Sequence, residues 1–277
     1  MVDDPFVLRR VLWLRQFPWL HEAELREVTM LAENLTEVRF APGTIVAPAH
    51  VRPPALHFVI EGELANATRT WGPRDVVGAL EILAKRPVVD EVVAVRESRT
   101  LQLAEPDVGE ILEENFGVLR AALRGLAHGM PRTHARLVAP PPLGDPLGFV
   151  DRLILLRAQP TYRGARLDAL AALAHASAEV RFAPGTQIVR FGEPATSSFV
   201  IIEGALAGPD GDLGPGHAIG ALETLADLPH PATLESRTTV RALESSAGAI
   251  FDVLEDHSDL GIAMLASFAG TLADLRA

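Results

Sequence analysis

The sequence predicts a mainly β protein with flanking helices, built as two tandem domains of the β-roll or jelly-roll kind. Three observations predict it. First, Glu37-Val38-Arg39-Phe40-Ala41-Pro42-Gly43-Thr44 returns letter for letter as Glu179-Val180-Arg181-Phe182-Ala183-Pro184-Gly185-Thr186, 142 positions later. Second, the offset persists: Glu61-Gly62 maps onto Glu203-Gly204, Gly78-Ala79-Leu80-Glu81 onto Gly220-Ala221-Leu222-Glu223, Leu83-Ala84 onto Leu225-Ala226, and Pro87 onto Pro229. A constant offset over such a span marks the duplication of a whole domain. Third, short runs rich in β-branched residues follow each Pro-Gly turn, broken by Gly and Pro at close intervals, as in a small antiparallel sandwich or barrel.

Each copy opens with helical periodicity. Leu8, Val11, Leu12 and Leu14 precede a break at Phe17-Pro18, and Leu25, Val28, Leu31 and Leu35 form a second amphipathic stretch. The second copy repeats this with Phe149, Leu153 and Leu156, a break at Gln159-Pro160, then Leu167, Leu170 and Leu173. Strand runs come next: Thr44-Ile45-Val46, Phe58-Val59-Ile60 and Val92-Val93-Ala94-Val95, then Gln187-Ile188-Val189 and Phe199-Val200-Ile201-Ile202. Both copies close on helices. The first spans Asp107 to Leu126, and the last sets Leu260, Met264, Phe268, Leu272 and Leu275 on one face. That face either packs on its own barrel or builds a homodimer. The divisions expected are a first domain over 1–130, a linker over 131–146 and a second domain over 147–277. Ala139-Pro140-Pro141-Pro142-Leu143-Gly144 reads as a stiff, extended connection that restricts the domains' mutual orientation.

Composition narrows the function. Of 277 residues, 48% are hydrophobic and 22% charged, as in an ordinary globular protein. A net charge of −11 disfavours nucleic acid and anionic membranes as partners. The absence of cysteine removes disulfides, thiolate metal sites and a cysteine nucleophile. Met1-Val2-Asp3-Asp4 is acidic where a secretory signal is basic, and arginines interrupt Phe6 to Leu20, so a cytoplasmic protein without membrane insertion is expected.

The order of helix, roll and helices, the early Pro-Gly turn, a Phe-led strand ending in Glu-Gly, and Gly-x-Leu-Glu-x-Leu-Ala before a proline together resemble the cyclic-nucleotide-binding domain, in two copies. The resemblance implies a short cassette for the cyclic phosphate. Backbone N–H groups and an arginine after a proline hold the phosphate, a glutamate after glycine holds the ribose, and a Thr or Ser follows near the base. Candidate ligand positions on that basis are Gly78, Ala79, Leu80, Glu81 and Val88 in copy one, and Gly220, Ala221, Leu222, Glu223, His230, Ala232 and Thr233 in copy two.

Both copies depart from the pattern. Ala79 and Ala221 stand where the resemblance implies the ribose glutamate, and Val88 and His230 where it implies the arginine. Copy one continues with Asp90-Glu91, whereas copy two keeps Ala232-Thr233. Copy one also has His50 and Arg74 opposite the turn glycines Gly192 and Gly216. Losing the arginine and the ribose acceptor together costs about 3–6 kcal/mol, roughly two to four decades of affinity. Copy one therefore reads as degenerate and copy two as half degenerate, with no cofactor and with cAMP or cGMP binding not expected.

Individual side chains leave alternatives open. Glu81 and Glu223 are either polar contacts of an altered pocket or first-turn glutamates favoured by the helix dipole. His230 is either a pH-dependent cation replacing arginine or an exposed loop histidine. Arg86 reaches an anion or pairs with Asp90 or Glu91; Arg39 and Arg181 anchor a carboxylate or loop from a strand. The nine histidines are scattered without the spacing of a metal-binding cupin, and no nucleophile elbow or phosphate loop is present, so catalysis is not expected. The stretch after the second roll is about two helices long and carries acidic Asp252, Glu255, Asp256 and Asp259, so DNA binding by this chain alone is not expected. The expected function is a non-catalytic interaction, scaffold or regulatory module with a protein partner and a possible homo-oligomeric state. The alternative is a sensor for an altered nucleotide or anion that uses the second domain.

Overall fold

The computed structural model describes residues 5–132, 143–209 and 211–275. The first repeat runs α1 (Pro5–Leu14), a 3-10 turn (Pro18–Leu20), α2 (Leu25–Glu33), β1 (Thr36–Phe40), β2 (Ile45–Ala47), β3 (Ala55–Glu61), β4 (Leu64–Ala65), β5 (Thr70–Trp71), β6 (Val76–Val77), α3 (Ala79–Leu83), β7 (Val92–Ala94), β8 (Ser98–Ala104), α4 (Glu105–Glu114) and α5 (Phe116–Gly129). The second runs α6 (Phe149–Arg157), a 3-10 turn (Pro160–Tyr162), α7 (Leu167–Ala176), β9 (Ala178–Phe182), β10 (Gln187–Val189), β11 (Ser197–Glu203), β12 (Leu206–Gly208), β13 (Gly211–Leu213), β14 (Ala218–Ile219), α8 (Ala221–Ala226), β15 (Leu234–Ser236), β16 (Val240–Ser246), α9 (Ala247–Asp256) and α10 (Ser258–Asp274).

Each roll has two four-stranded antiparallel sheets. Their orders are β1-β8-β3-β6 and β2-β7-β4-β5 in the first, and β14-β11-β16-β9 and β10-β15-β12-β13 in the second. The expected tandem β-rolls with flanking helices are present. Alternation along the strands turns one set of side chains inward. Val59 and Val77 from one sheet meet Ala47, Leu64, Val92 and Ala94 from the other. In the second roll Phe199, Ile201, Ile219, Val240 and Ala242 meet Val189, Leu206 and Leu234. The register shifts between Val59 and Glu61 and, in the copy, between Ile201 and Glu203. Such a bulge bends the strand where the Glu-Gly turn begins.

That turn requires glycine. Gly62 and Gly204 have φ of 89° and 88°, and a Cβ on Gly62 would lie 2.5 Å from the Glu97 carbonyl oxygen. At the positions opposite Gly192 and Gly216, His50 and Arg74 keep the left-handed backbone, with φ of 61° and 77°. The turn survived the loss of its glycines.

The octapeptide's charges belong to a device that both repeats share. Arg99 pairs with Glu61 and lies 3.6 Å from Glu37. In the second roll Arg241, almost wholly buried, donates to Glu179 at 2.9 Å and to Glu203 at 2.7 Å. The expected anchoring by Arg39 and Arg181 is also seen, at Glu37 (3.7 Å) and at Glu179 (3.0 Å). Burial pushes the Glu179 carboxyl up, but the Leu147 N–H and the two guanidinium groups outweigh it and hold the pKa below the usual carboxylate range.

The helices divide their apolar residues in a way periodicity alone does not give. In α1 the core takes Val7, Val11 and Leu14 and leaves Leu8 and Leu12 in water; in α2 it takes Val28 and Leu31 and leaves Leu25. The helical stretch expected from Asp107 to Leu126 is carried by two helices, α4 and α5, that meet at Asn115, whose amide donates to the Ile111 carbonyl. Along α10, Leu260, Met264, Phe268 and Leu272 are buried within the chain and Leu275 is exposed, so that face is not free for a dimer.

The chain forms two compact units. One gathers the chain up to Ala122 together with the stretch from Phe268 on; the other gathers Leu123–Ser267. The ends of α5 and α10 are thus exchanged between the repeats. The prolines expected to stiffen the connection, Pro140, Pro141 and Pro142, lie outside the described residues.

Candidate functional site

The two cassettes are built alike and end differently. β6 and β14 each deliver the chain to a glycine with left-handed backbone, Gly78 (φ 83°) and Gly220 (φ 74°), from which the short helices α3 and α8 start. Glycine fits because a Cβ at Gly220 would lie 2.7 Å from the Ser197 carbonyl oxygen, and one at Gly78 would lie 3.1 Å from that of Ala55. Glu81 and Glu223 both fall in the first helical turn. Glu81 is half-buried, whereas Glu223 is buried. Leu80 is buried in α3; Leu222 in α8, Ala79 and Ala221 are half-buried.

The position at which the resemblance implies an arginine points inward in both rolls. Val88 is 5% exposed and belongs to the first roll's core cluster. Its N–H donates to the Val51 carbonyl and its carbonyl accepts from the His50 N–H, which ties the segment to the neighbouring loop. His230 is 7% exposed, and its N–H donates to the Glu193 carbonyl. His230 is therefore neither an exposed loop histidine nor a ready cation. Burial pushes its pKa down, and the nearby Glu223 and Glu193 carboxylates only partly offset that. Thr233 is exposed, and its hydroxyl oxygen accepts from the Phe191 N–H at 3.0 Å. Ala232 beside it is half-buried.

The space left in each cassette follows from these choices. In the second roll His230, Pro231, Ala232 and Leu234 close against Gly220 and Glu223 around about 10 Å³, room for one water at most. In the first roll a cleft of about 390 Å³ remains, within the range of small-molecule sites. Its floor is Val77, Leu80, Val88 and Val92, and its walls carry Asn66, Arg69, Trp71, Glu81, Arg86 and Asp90. The Arg69 guanidinium lies 5.2 Å above the Trp71 ring and 4.0 Å from Asp75. Ala273, in the C-terminal stretch of the same unit, completes the wall.

Arg86 pairs with Asp274 in that C-terminal stretch, rather than with Asp90 or Glu91 as the sequence led us to expect. An anion entering the first cleft would have to compete with this carboxylate. In the second unit Arg124 stands 3.3 Å from Asp227, directly after α8. Nothing in the sequence around Asp274 or Asp227 announced these pairs. For Arg99 and Arg241 there was a signal, since both stand at the repeat offset. Among the described residues no group of three or more His, Asp or Glu could hold a metal ion, and no helix is long and apolar enough to cross a membrane.

Comparison with known proteins adds a family. Residues 179–257 match the cyclic nucleotide-binding domain. Among curated proteins none matches the chain. Among solved structures, the chain is similar to the regulatory domain of Toxoplasma gondii PKA with cAMP, at 16% identity over 93% of this chain and 98% of that one, with a TM-score of 0.38. It is also similar to the regulatory subunit of a cAMP-independent protein kinase A from Trypanosoma brucei, at 19% identity over 93% and 91%, TM-score 0.38. A third likeness is to the N-terminal domain of a transcriptional regulator from Streptomyces coelicolor A3(2), at 26% identity over 44% of this chain and 92% of that one, TM-score 0.40.

Proposed function

We propose that this cyclic-nucleotide-binding-domain-like chain is a non-catalytic regulatory and interaction module whose two rolls have lost the usual phosphate and ribose contacts. One observation carries the reading: Val88 and His230, at the arginine position of the two cassettes, are both turned into the protein and buried. A buried valine offers an anion no donor. A buried histidine with a lowered pKa is neutral at physiological pH and offers at most one N–H. Ala79 and Ala221 offer the ribose no acceptor beyond the backbone. What remains is two rolls, each with helical surfaces suited to holding a protein partner.

Isothermal titration of the full chain with cAMP and cGMP tests this. No binding heat is expected up to roughly millimolar ligand, and affinity in the micromolar range for either nucleotide overturns the reading.

The cleft favours a second reading. If the module senses a small ligand, the first roll is the place for it, because the second roll's cassette is filled by its own histidine. Trp71 lines the cleft, so a ligand that enters changes tryptophan emission. A nucleotide and organic-anion panel that leaves emission and melting temperature unchanged removes this reading.

A further inference from the structure

The first roll keeps open the space that the second roll fills, and the charge around that space has the wrong sign for a phosphate. The floor of the cleft is apolar, and Trp71 stands in its wall. Four charged side chains line it: Arg69, Glu81, Arg86 and Asp90. Both guanidinium groups are engaged. Arg86 is held by Asp274 of the same unit, and Arg69 lies over Trp71 with the Asp75 carboxylate 4.0 Å away. The two carboxylates are not engaged. Glu81 and Asp90 are half-buried, and among the described residues neither side chain makes an ion pair or a hydrogen bond.

Each arginine thus has a carboxylate of its own, and two carboxylates are left over. A ligand entering the cleft meets apolar surface, an aromatic ring and two uncompensated negative charges. A cleft of this kind focuses its field and concentrates ligands of opposite sign. An anion would meet repulsion from Glu81 and Asp90 and would have to displace Asp274 to reach Arg86. The volume of about 390 Å³ also exceeds what an inorganic ion needs, and the floor offers an organic body a place to leave water.

The second repeat shows that these features go together. At the repeat offset, Trp71, Arg69, Arg86 and Asp90 correspond to Leu213, Gly211, Leu228 and Ala232, and His230 fills the space. The aromatic wall, the second free carboxylate and the open volume are all present in one copy and all missing from the other.

We propose that the first cleft binds a small organic cation, a protonated amine on an apolar frame, with Glu81 and Asp90 taking the ammonium group and Val77, Leu80, Val88 and Val92 covering the frame. This goes beyond the second reading above, whose ligands are nucleotides and organic anions.

Three ligands with one frame and three charges test it: 2-phenylethylamine, 2-phenylethanol and phenylacetate. Each is titrated into the full chain at neutral pH, to roughly 10 mM, with tryptophan emission and melting temperature as readouts. The amine should bind roughly tenfold more tightly than the alcohol, and the acid should not bind. An alcohol that binds as well as the amine overturns the proposal. So does binding of the acid alone, which would favour the second reading. Silence of all three overturns it too and leaves the second reading to its own nucleotide panel. Asp90→Asn and Glu81→Gln should each weaken the amine roughly three- to tenfold and leave the alcohol unchanged. An amine affinity unmoved in both variants puts the binding elsewhere and overturns the assignment. Should either variant melt early, the three ligands on the parent chain carry the test.

Discussion

Replacing Gly62 by alanine should damage the first unit far more than replacing Gly43, although both glycines have nearly the same backbone. Their φ values are 89° and 82°. Alanine at either position incurs about 1–2 kcal/mol for the left-handed conformation, less about 0.4–1 kcal/mol regained from a stiffer unfolded chain. At Gly43 nothing lies within 4 Å of the new methyl group, so the cost ends there, at about 1 kcal/mol. At Gly62 the methyl group would run into the Ser98 Cα and Oγ and lie 2.5 Å from the Glu97 carbonyl oxygen. Ser98 cannot withdraw freely, because its hydroxyl accepts from the Glu63 N–H at 2.9 Å and donates to the Arg96 carbonyl at 2.8 Å. Overpacking against fixed backbone adds about 1–3 kcal/mol, which separates the two variants by about 2 kcal/mol. The assay is urea unfolding followed by tryptophan emission. All three tryptophans, Trp13, Trp19 and Trp71, stand in the first repeat, so the signal reads that unit. If the two variants unfold within about 0.5 kcal/mol of each other, the steric account of the Glu-Gly turn is wrong.

Three further outcomes are expected. Burial lowers the His57 pKa from 6.5 to about 4, so the fold keeps a neutral ring that the unfolded chain protonates. The associated stability is complete above pH 6.5 and falls by about 3 kcal/mol as pH drops toward 4, and His57→Gln should flatten that slope in denaturant titrations at a series of pH values. Arg241→Met should cost about 2–3 kcal/mol by calorimetry, because it strips the half-buried Glu179 carboxylate of one of its donors; Arg241→Lys should recover part of it. Arg74→Gly relieves a residue at φ 77° and should raise the melting temperature by roughly 2–4 °C for each kcal/mol gained, with a gain of up to about 1 kcal/mol.

What could be read from the sequence was what is decided locally or twice. The Pro-Gly turns, the Glu-Gly turns after β3 and β11, and the short helices after Gly78 and Gly220 all rest on conformations that few residues adopt, so the letters betray them. The strands rest on short-range alternation in the same way. The helix faces were harder. A stretch such as Val7-Leu8-Arg9-Arg10-Val11-Leu12 has apolar residues on more than one side, and only the packed neighbour decides that Val7 and Val11 go inward while Leu8 and Leu12 stay out. The cassettes were legible as positions but not as volumes. That Val88 joins the core and His230 fills its own cleft depends on residues from several strands at once. Arg86 finds a carboxylate 188 positions away, which no local pattern records. Arg99 and Arg241 were visible as a matched pair, but so were many strand residues with no such role.

The membership of the C-terminal stretch in the first unit has a consequence for synthesis. Phe268, Ala269 and Leu272 are buried, and they group with the unit that begins at the other end of the chain. The second unit is continuous in sequence, yet it too is complete only once Ser267 has been added, directly before that stretch. The first emerges earlier yet lacks part of its interior until the last helix leaves the ribosome, a wait of roughly 10–30 s at ordinary elongation rates. During that interval the older part of the nascent protein has most of its chain but not Phe268, Ala269 and Leu272, so its unfilled interior is what chaperones would be expected to hold.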